Sequence, residues 1–344
     1  MNDVLDTATP VRLGFVRLLD AAPLMVAREC GFFAEEGLNV TLMPEVSWAT
    51  LRDKVTVGLL DGAHMLAPMA FAIALGLGAP REPLKVPLVL SRNGNGITLS
   101  SELAKAVDRQ CSSRHPGATA QALAREAART GRPLRFAVVY AWSSHYLQLR
   151  DWLAAGGLHP GQQVELVTVP PTKMVESLRR GDIDGCCVGE PWNSLAETAG
   201  IGRLVVSGHD LWPNSAEKVL GLRQAWVDDN PQQTAGLIRA ILKACRWIES
   251  QKVEKLVDTL SLPPYLENEL HALGRSQGLF HARIGQHFFK NEANRPRLEE
   301  AQALFERMQR WQQVTPEQWD LVADLFQPGL YRQAVDNLDS VAEV

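Results

Sequence analysis

The sequence predicts an α/β protein of two lobes, and three observations carry that prediction. Nine short apolar segments read as strands, at 11–16, 39–43, 55–60, 86–91, 135–140, 164–169, 183–188, 203–207 and 218–223. Most are separated by stretches of helical periodicity, the pattern of largely parallel sheets. A glycine-rich break at 91–100, "SRNGNGITLS", follows a strand, precedes a helix-like segment at 101–107 and reads as the first crossover between lobes. The chain turns predominantly helical beyond Asp228. At 344 residues it is long enough for two cores. On this reading 1–96 and 201–344 form lobe 1, 97–200 form lobe 2, and the helical C-terminal segment packs on lobe 1.

The elements follow from spacing. Val11, Leu13 and Phe15 alternate with polar or small residues, as in a half-buried strand. Apolar residues at helical spacing then run from Ala21 to Phe33, Gly31 ends that helix, and Val40–Met43 returns to the sheet. A loop after the first strand of an open α/β sheet is where such folds hold a ligand, so Trp48, just past the next strand, is placed to line a cleft. Residues 108–134 open as a polar loop and continue as an Ala/Arg-rich amphipathic helix. At 135–158 a strand leads to a Ser-Ser N-cap signal at 143–144 and a helix carrying Leu147, Leu149, Trp152 and Leu153. Gly181 and Asp182 turn the chain into a buried strand over 183–188 that ends at Gly189. Two C-terminal helices follow, one with Leu237, Ile241, Cys245 and Ile248 on one stripe, the other with Leu298, Ala301, Phe305, Met308 and Trp311 inward.

Composition excludes several function classes. Charge is near balanced, with 35 basic and 39 acidic residues and no long basic run, which argues against direct nucleic-acid binding. Apolar runs are too short and interrupted to span a bilayer, so no membrane role is expected. The start "MNDVLDTATP" lacks the features of a secretory signal. Five cysteines, including the vicinal pair Cys186–Cys187, do not form a disulfide framework, and together these features favour the cytoplasm. No GxGxxG, P-loop or G-x-S-x-G is present, and adjacent cysteines in a strand face opposite ways, so neither cofactor nor metal is expected. Without a carboxylate pair or a nucleophile–base pair, the chain reads as a binding protein and not an enzyme.

Candidate ligand contacts come from strand ends and helix starts. Gly189 closes an apolar strand, where backbone N–H groups can approach a ligand. Tyr140 and His145 flank a helix N-terminus suited to an anion; Tyr140 is the better candidate, and His145 reads first as a surface residue of the early helix. Lys218 opens a strand, where it is either an ordinary surface charge or the neutraliser of an anion. His64 is either a satisfied polar residue or a cleft donor.

With those residues in place, the chain resembles the nitrate- and bicarbonate-binding protein family of ABC transporters, and within it the signal-less cytoplasmic nitrate/nitrite sensors of the NasS type. The resemblance covers residues 11–325 and rests on "LGFVRLLDAAPLMVARECGFFAEEGL", "SWATLRDKVTVGLLDGAHMLAPM", "RNGNGITLS", "WLAAGGLHP", "VELVTVPPTKMVESLRRGDIDGCCVGEPW", "AEKVLGLRQAWVDDNP" and "ANRPRLEEAQALFERMQRW". It implies a two-lobe periplasmic-binding-protein-like fold, type II, closing over a small planar oxyanion. It also implies that Trp48 is the cleft tryptophan, that Asn93 stands where the nitrate binder has a glutamine, and that Gly189 is the glycine beside "EPW". Lys218 is then the anion-facing lysine, and Tyr140 aligns with a histidine across a one-residue gap.

Nitrate is weakly basic and flat, so it calls for several fixed donors and an apolar wall, which these residue types offer. The resemblance further implies that nitrate or nitrite governs release of an RNA-binding antiterminator of the NasT type. Two alternatives stand beside the sensor. One is the substrate-binding component of a nitrate or bicarbonate transporter; the other is an enzyme similar to the pyrimidine synthases of thiamine biosynthesis, for whose Cys-rich loop this chain offers only Cys186–Cys187.

Overall fold

The computed structural model describes residues 10–251, 253–266, 270, 273 and 284–339. Its contacts divide the chain into two compact units, one of Met1–Arg92, Ala216–Tyr265 and His287–Val344, the other of Asn93–Ser215 and Leu266–Gln286. Among the described residues ten strands are formed: β1 (Val11–Val16), β2 (Val40–Glu45), β3 (Gly62–Leu66), β4 (Leu84–Arg92), β5 (Asn95–Ser100), β6 (Leu134–Val138), β7 (Val164–Thr168), β8 (Gly185–Gly189), β9 (Gly202–Ser207) and β10 (Ala216–Arg223).

The first unit holds a five-stranded sheet in the order β2-β1-β3-β10-β4. Strand β1 runs parallel to β2 and β3, whereas β10 is antiparallel to both its neighbours. A late strand thus inserts into the middle of the sheet. The C-terminal helices attach to the same unit. In Pro231–Ser250, Leu237, Ile241, Cys245 and Ile248 are buried, and the helix packs on Ala22–Glu29. Each fully buried apolar side chain of this stripe contributes roughly 1.5–3 kcal/mol. In Leu298–Arg310 the buried stripe is Ala301, Leu304, Phe305 and Met308, while Leu298 is exposed at the helix start. Arg92, wholly buried at the end of β4, grips Glu300 of that helix through two guanidinium bonds of 2.6 and 3.1 Å and also donates to the Ala293 carbonyl. This fork-on-fork geometry fixes orientation as well as supplying energy.

The second unit holds another five-stranded sheet, in the order β7-β6-β8-β5-β9. Here β6 is parallel to β7 and β8, and β5 is antiparallel to β8 and β9. Its core gathers Phe136, Leu149, Trp152, Val164 and Cys187. The Trp152 indole N–H, buried there, is satisfied by the Pro116 carbonyl and the Thr119 hydroxyl at 3.1 Å each.

Three expectations change. Residues 55–60 are not a strand: Trp48–Thr56 is helical, Gly58 closes it with φ +74°, and Val57 and Leu59 are exposed. The strand lies just beyond, at β3. Conversely, the glycine-rich segment contains strand β5. The lobe boundary near residue 200 also moves, because β9 pairs with β5 and carries the second unit to Ser215. The described residues of 266–286, namely Leu266, Leu270, Leu273 and 284–286, group with that unit as well, not with lobe 1.

Candidate functional site

In the first unit four elements bring polar side chains to one edge of the sheet. Asp20 follows the C-terminal end of β1, and Trp48 follows that of β2. Ser47 starts the Trp48 helix, its hydroxyl accepting from the Thr50 N–H at 3.1 Å. His64 lies in β3, and antiparallel β10 sets Lys218 opposite Leu66, at the end of β3. The C-terminal edge of parallel strands is where open α/β sheets bind ligands. The register of β10 against β4 slips between Ala216 and Lys218, so Glu217 is an extra, bulged residue. The bulge lets neighbours that would otherwise alternate across the sheet meet: Lys218 Nζ donates to Glu217 Oε1 at 3.0 Å.

The cluster is buried and highly charged. Asp20, Trp48, His64, Glu217 and Lys218 are all essentially inaccessible to solvent. Lys218 Nζ lies 2.8 Å from Asp20 Oδ2, and His64 Nε2 is 2.8 Å from Asp20 Oδ1. The Trp48 ring sits 5.3 Å from the His64 ring and 5.9 Å from the Lys218 ammonium, within range of a cation–π contact. Burial pushes the Asp20 carboxyl upward, but Lys218 and His64 outweigh it and hold Asp20 far below the usual carboxylate range. Burial likewise disfavours the Lys218 ammonium, yet Asp20 and Glu217 overcome it and raise its pKa. For His64 burial wins over the pull of Asp20, and its pKa falls. The ring is therefore neutral at pH 7, with its proton on Nε2 toward Asp20.

Trp48 Nε1 and His64 Nδ1 are buried in this cluster without a hydrogen-bond partner or an ion-pair partner, unlike Asp20 Oδ2, which lacks a hydrogen-bond partner but is ion-paired with Lys218. The indole can only donate, and the deprotonated Nδ1 of a neutral imidazole can only accept. An unsatisfied buried polar atom costs about 1–3 kcal/mol, so such a pair marks a place built for something else to bond.

The second unit holds the other expected residues. Asn93 has a left-handed backbone (φ +52°), and its side-chain amide N–H groups point to the Gly285 carbonyl at 2.9 Å and to His209 Nδ1 at 3.3 Å. Both amide N–H groups are thus committed to protein acceptors, and the unpartnered atom of Asn93 is its carbonyl oxygen. Tyr140 is buried two residues past β6, and its carbonyl accepts from Ser143, the N-cap of Ser144–Ala155. His145 is wholly buried, which corrects its reading as a surface residue: the helix packs on β8 and on Gly208–Leu211. Gly189 ends β8 opposite Asn95.

The structure thus brings Trp48, His64 and Lys218 into one cluster, and places Asn93, Tyr140, Gly189 and His145 in the other unit. Asp20 and Glu217 were missed. Asp20 stands in the loop already singled out as ligand-bearing, and Glu217 is adjacent to Lys218, but nothing in sequence reveals the bulge. Asn95, Glu190 and Trp192, further buried residues of the second unit, were not singled out in sequence either. Asn95 donates to Gln148 at 3.1 Å, and Glu190 accepts from the Ser194 N–H at 3.2 Å. Burial pushes the Glu190 carboxyl up to about 8, against the hydrogen bonds from Ser194. Burial also pushes the Cys186 thiol up to about 12, which leaves it without thiolate character.

Comparison with known proteins gives a family and relatives. Residues 6–260 match the model of the NMT1-like family. The chain is 34% identical over 342 residues to the nitrate import ATP-binding protein NrtC of Synechocystis sp. strain PCC 6803, covering 95% of this chain and 50% of that one. It is also 34% identical over 344 residues to the bicarbonate transport ATP-binding protein CmpC of the same organism, again over 95% of this chain and 50% of the relative. The chain spans about half the length of these relatives. Among solved structures, the periplasmic nitrate-binding protein NrtA from Synechocystis PCC 6803 superposes with a TM-score of 0.86 at 28% identity, over 98% of this chain and 91% of that one. The fold is the two-lobe, periplasmic-binding-protein-like type II fold.

Proposed function

Because the chain belongs to the NMT1-like family, we propose that it binds nitrate or nitrite as the substrate-binding component of an ABC importer. The observation that carries this reading is the Trp48–His64–Lys218 cluster at the C-terminal edge of β1–β3, with a buried, unbonded indole N–H. A weakly basic planar anion takes the Trp48 N–H at one oxygen, lies near the Lys218 ammonium and rests on flat aromatic surface. Asp20 and Glu217 oppose a second negative charge, which selects against sulfate and hydrogen phosphate. The names of NrtA and NrtC supply the nitrate, and that of CmpC keeps bicarbonate as the nearest competitor.

The sensor reading comes second. It rests on the resemblance of the quoted segments, and it alone carries the cytoplasmic location and the NasT-type antiterminator; the likeness to import proteins favours delivery to a permease. Calorimetry with nitrate, nitrite, bicarbonate and sulfate tests the ligand: nitrate and nitrite bind, sulfate does not. Absence of nitrate and nitrite binding overturns the assignment. Co-purification with a permease rather than an antiterminator then separates delivery from sensing.

A further inference from the structure

His64 faces Asp20 from the β1 loop, Lys218 and Glu217 from β10, and the Trp48 ring from the helix after β2. Two carboxylates against one ammonium leave this closed cluster with one net negative charge while the imidazole is neutral. An anion seated there brings a second negative charge; Trp48 Nε1 is an unused donor, and His64 Nδ1 is an unused acceptor lone pair, whereas Asp20 Oδ2, also without a hydrogen bond, is ion-paired with Lys218. Nitrate has only acceptor oxygens, so a lone pair on Nδ1 repels it. Bicarbonate carries one O–H and satisfies both atoms as they stand, accepting from Trp48 and donating to His64.

Building on the anion-binding reading above, we infer that His64 is a specificity-determining residue whose Nδ1 takes up one proton from solvent when nitrate binds and none when bicarbonate binds. The proton converts the lone pair into a second donor to the nitrate oxygen. It also restores the net charge that the cluster had before the ligand arrived. Nε2–H stays on Asp20 throughout, so the ring need not turn. The low pKa of His64 in the free protein means that this proton must be supplied from outside over the whole neutral and alkaline range.

Calorimetry of nitrate and of bicarbonate at pH 8, in buffers of differing ionisation enthalpy, counts the protons directly. The expected result is about one proton taken up per nitrate and close to none per bicarbonate. Nitrate affinity should also weaken about tenfold per pH unit above the His64 titration. The His64→Gln variant, with an amide that carries its own N–H, should bind nitrate with a flat pH profile and no uptake. Nitrate binding without proton uptake by the intact protein, or uptake that persists in His64→Gln, overturns this inference and leaves the proposed function standing. Failure of nitrate to bind at any pH overturns both. The proton count on the unmodified protein stands on its own if the variant does not fold.

Discussion

Lys218 has two tasks that must be separated before any binding result is read. It is the cation nearest Trp48, and it also holds two buried carboxylates in place. Removing one partner of a buried ion pair costs roughly 3–5 kcal/mol, because the remaining charge is left uncompensated. Lys218→Met is therefore expected to lose stability of that order in urea unfolding, and Asp20→Asn in the same chain to recover part of it. Trp48→Phe is the cleaner probe: it keeps the buried ring and deletes one N–H that no protein group uses. A hydrogen bond to a charged group is worth about 1.5–3 kcal/mol, so nitrate affinity should fall roughly tenfold to a hundredfold while the melting temperature barely moves. Unchanged affinity in Trp48→Phe would remove the indole from the site. Trp48 was legible in sequence because it stands at a helix start just past a strand, while His64 and Lys218, which lie inside β3 and β10, were legible as polar residues bordering apolar strand segments. Their charge balance was not, since it depends on a bulge and on a loop aspartate that local pattern does not orient.

At the level of elements, the expectations that failed did so where backbone crowding overrides propensity. Val55, Val57 and Leu59 alternate like a strand, yet the strand is "GAHML", whose residues have little β preference. All five of its positions are buried, so there is no alternation to detect. Close approach between strands explains the glycines: a Cβ on Gly62 would lie 2.7 Å from the Gly221 carbonyl oxygen and 2.4 Å from the Leu222 side chain. Backbone cannot yield as a side chain tip can. Gly62→Ala is accordingly expected to cost about 1–3 kcal/mol through overpacking and to disturb the β3–β10 pairing that places His64 and Lys218. A Gly62→Ala protein with unaltered stability would mean that β10 shifts freely, and the ladder would then not be what holds the cluster. Strand β5 was hidden similarly, by the Asn-Gly start that reads as a turn. Strands β1, β2, β6 and β7 were legible because each carries apolar residues at strand spacing with a turn or loop beyond it.

For the whole molecule, pH acts through Glu190 of the second unit, apart from the His64 cluster. Its carboxyl is buried, with one oxygen on the Ser194 N–H and the other without a partner, and the pKa rises from 4.5 to about 8. Between those values the folded chain keeps a proton that the unfolded chain releases. Stability from this group is fully present below about pH 4.5 and is lost as pH climbs toward about 8. The loss is on the order of a few kcal/mol, a large share of a typical folding free energy. Glu190→Gln keeps the shape and removes the titration, so its stability should be flatter across that window, with its advantage over the unmodified chain growing as pH rises. Urea unfolding at pH 5, 6.5 and 8 measures the slope, and equal slopes for the two proteins would mean that Glu190 is ionised in the fold. The same series at saturating nitrate adds a second slope of known sign. Ligand at a hundred times its dissociation constant stabilises by about 2.7 kcal/mol. If His64 must gain a proton to hold nitrate, a fixed nitrate concentration stabilises less at pH 8 than at pH 6.5. That difference should survive in Glu190→Gln and vanish in His64→Gln, which assigns one pH dependence to each unit.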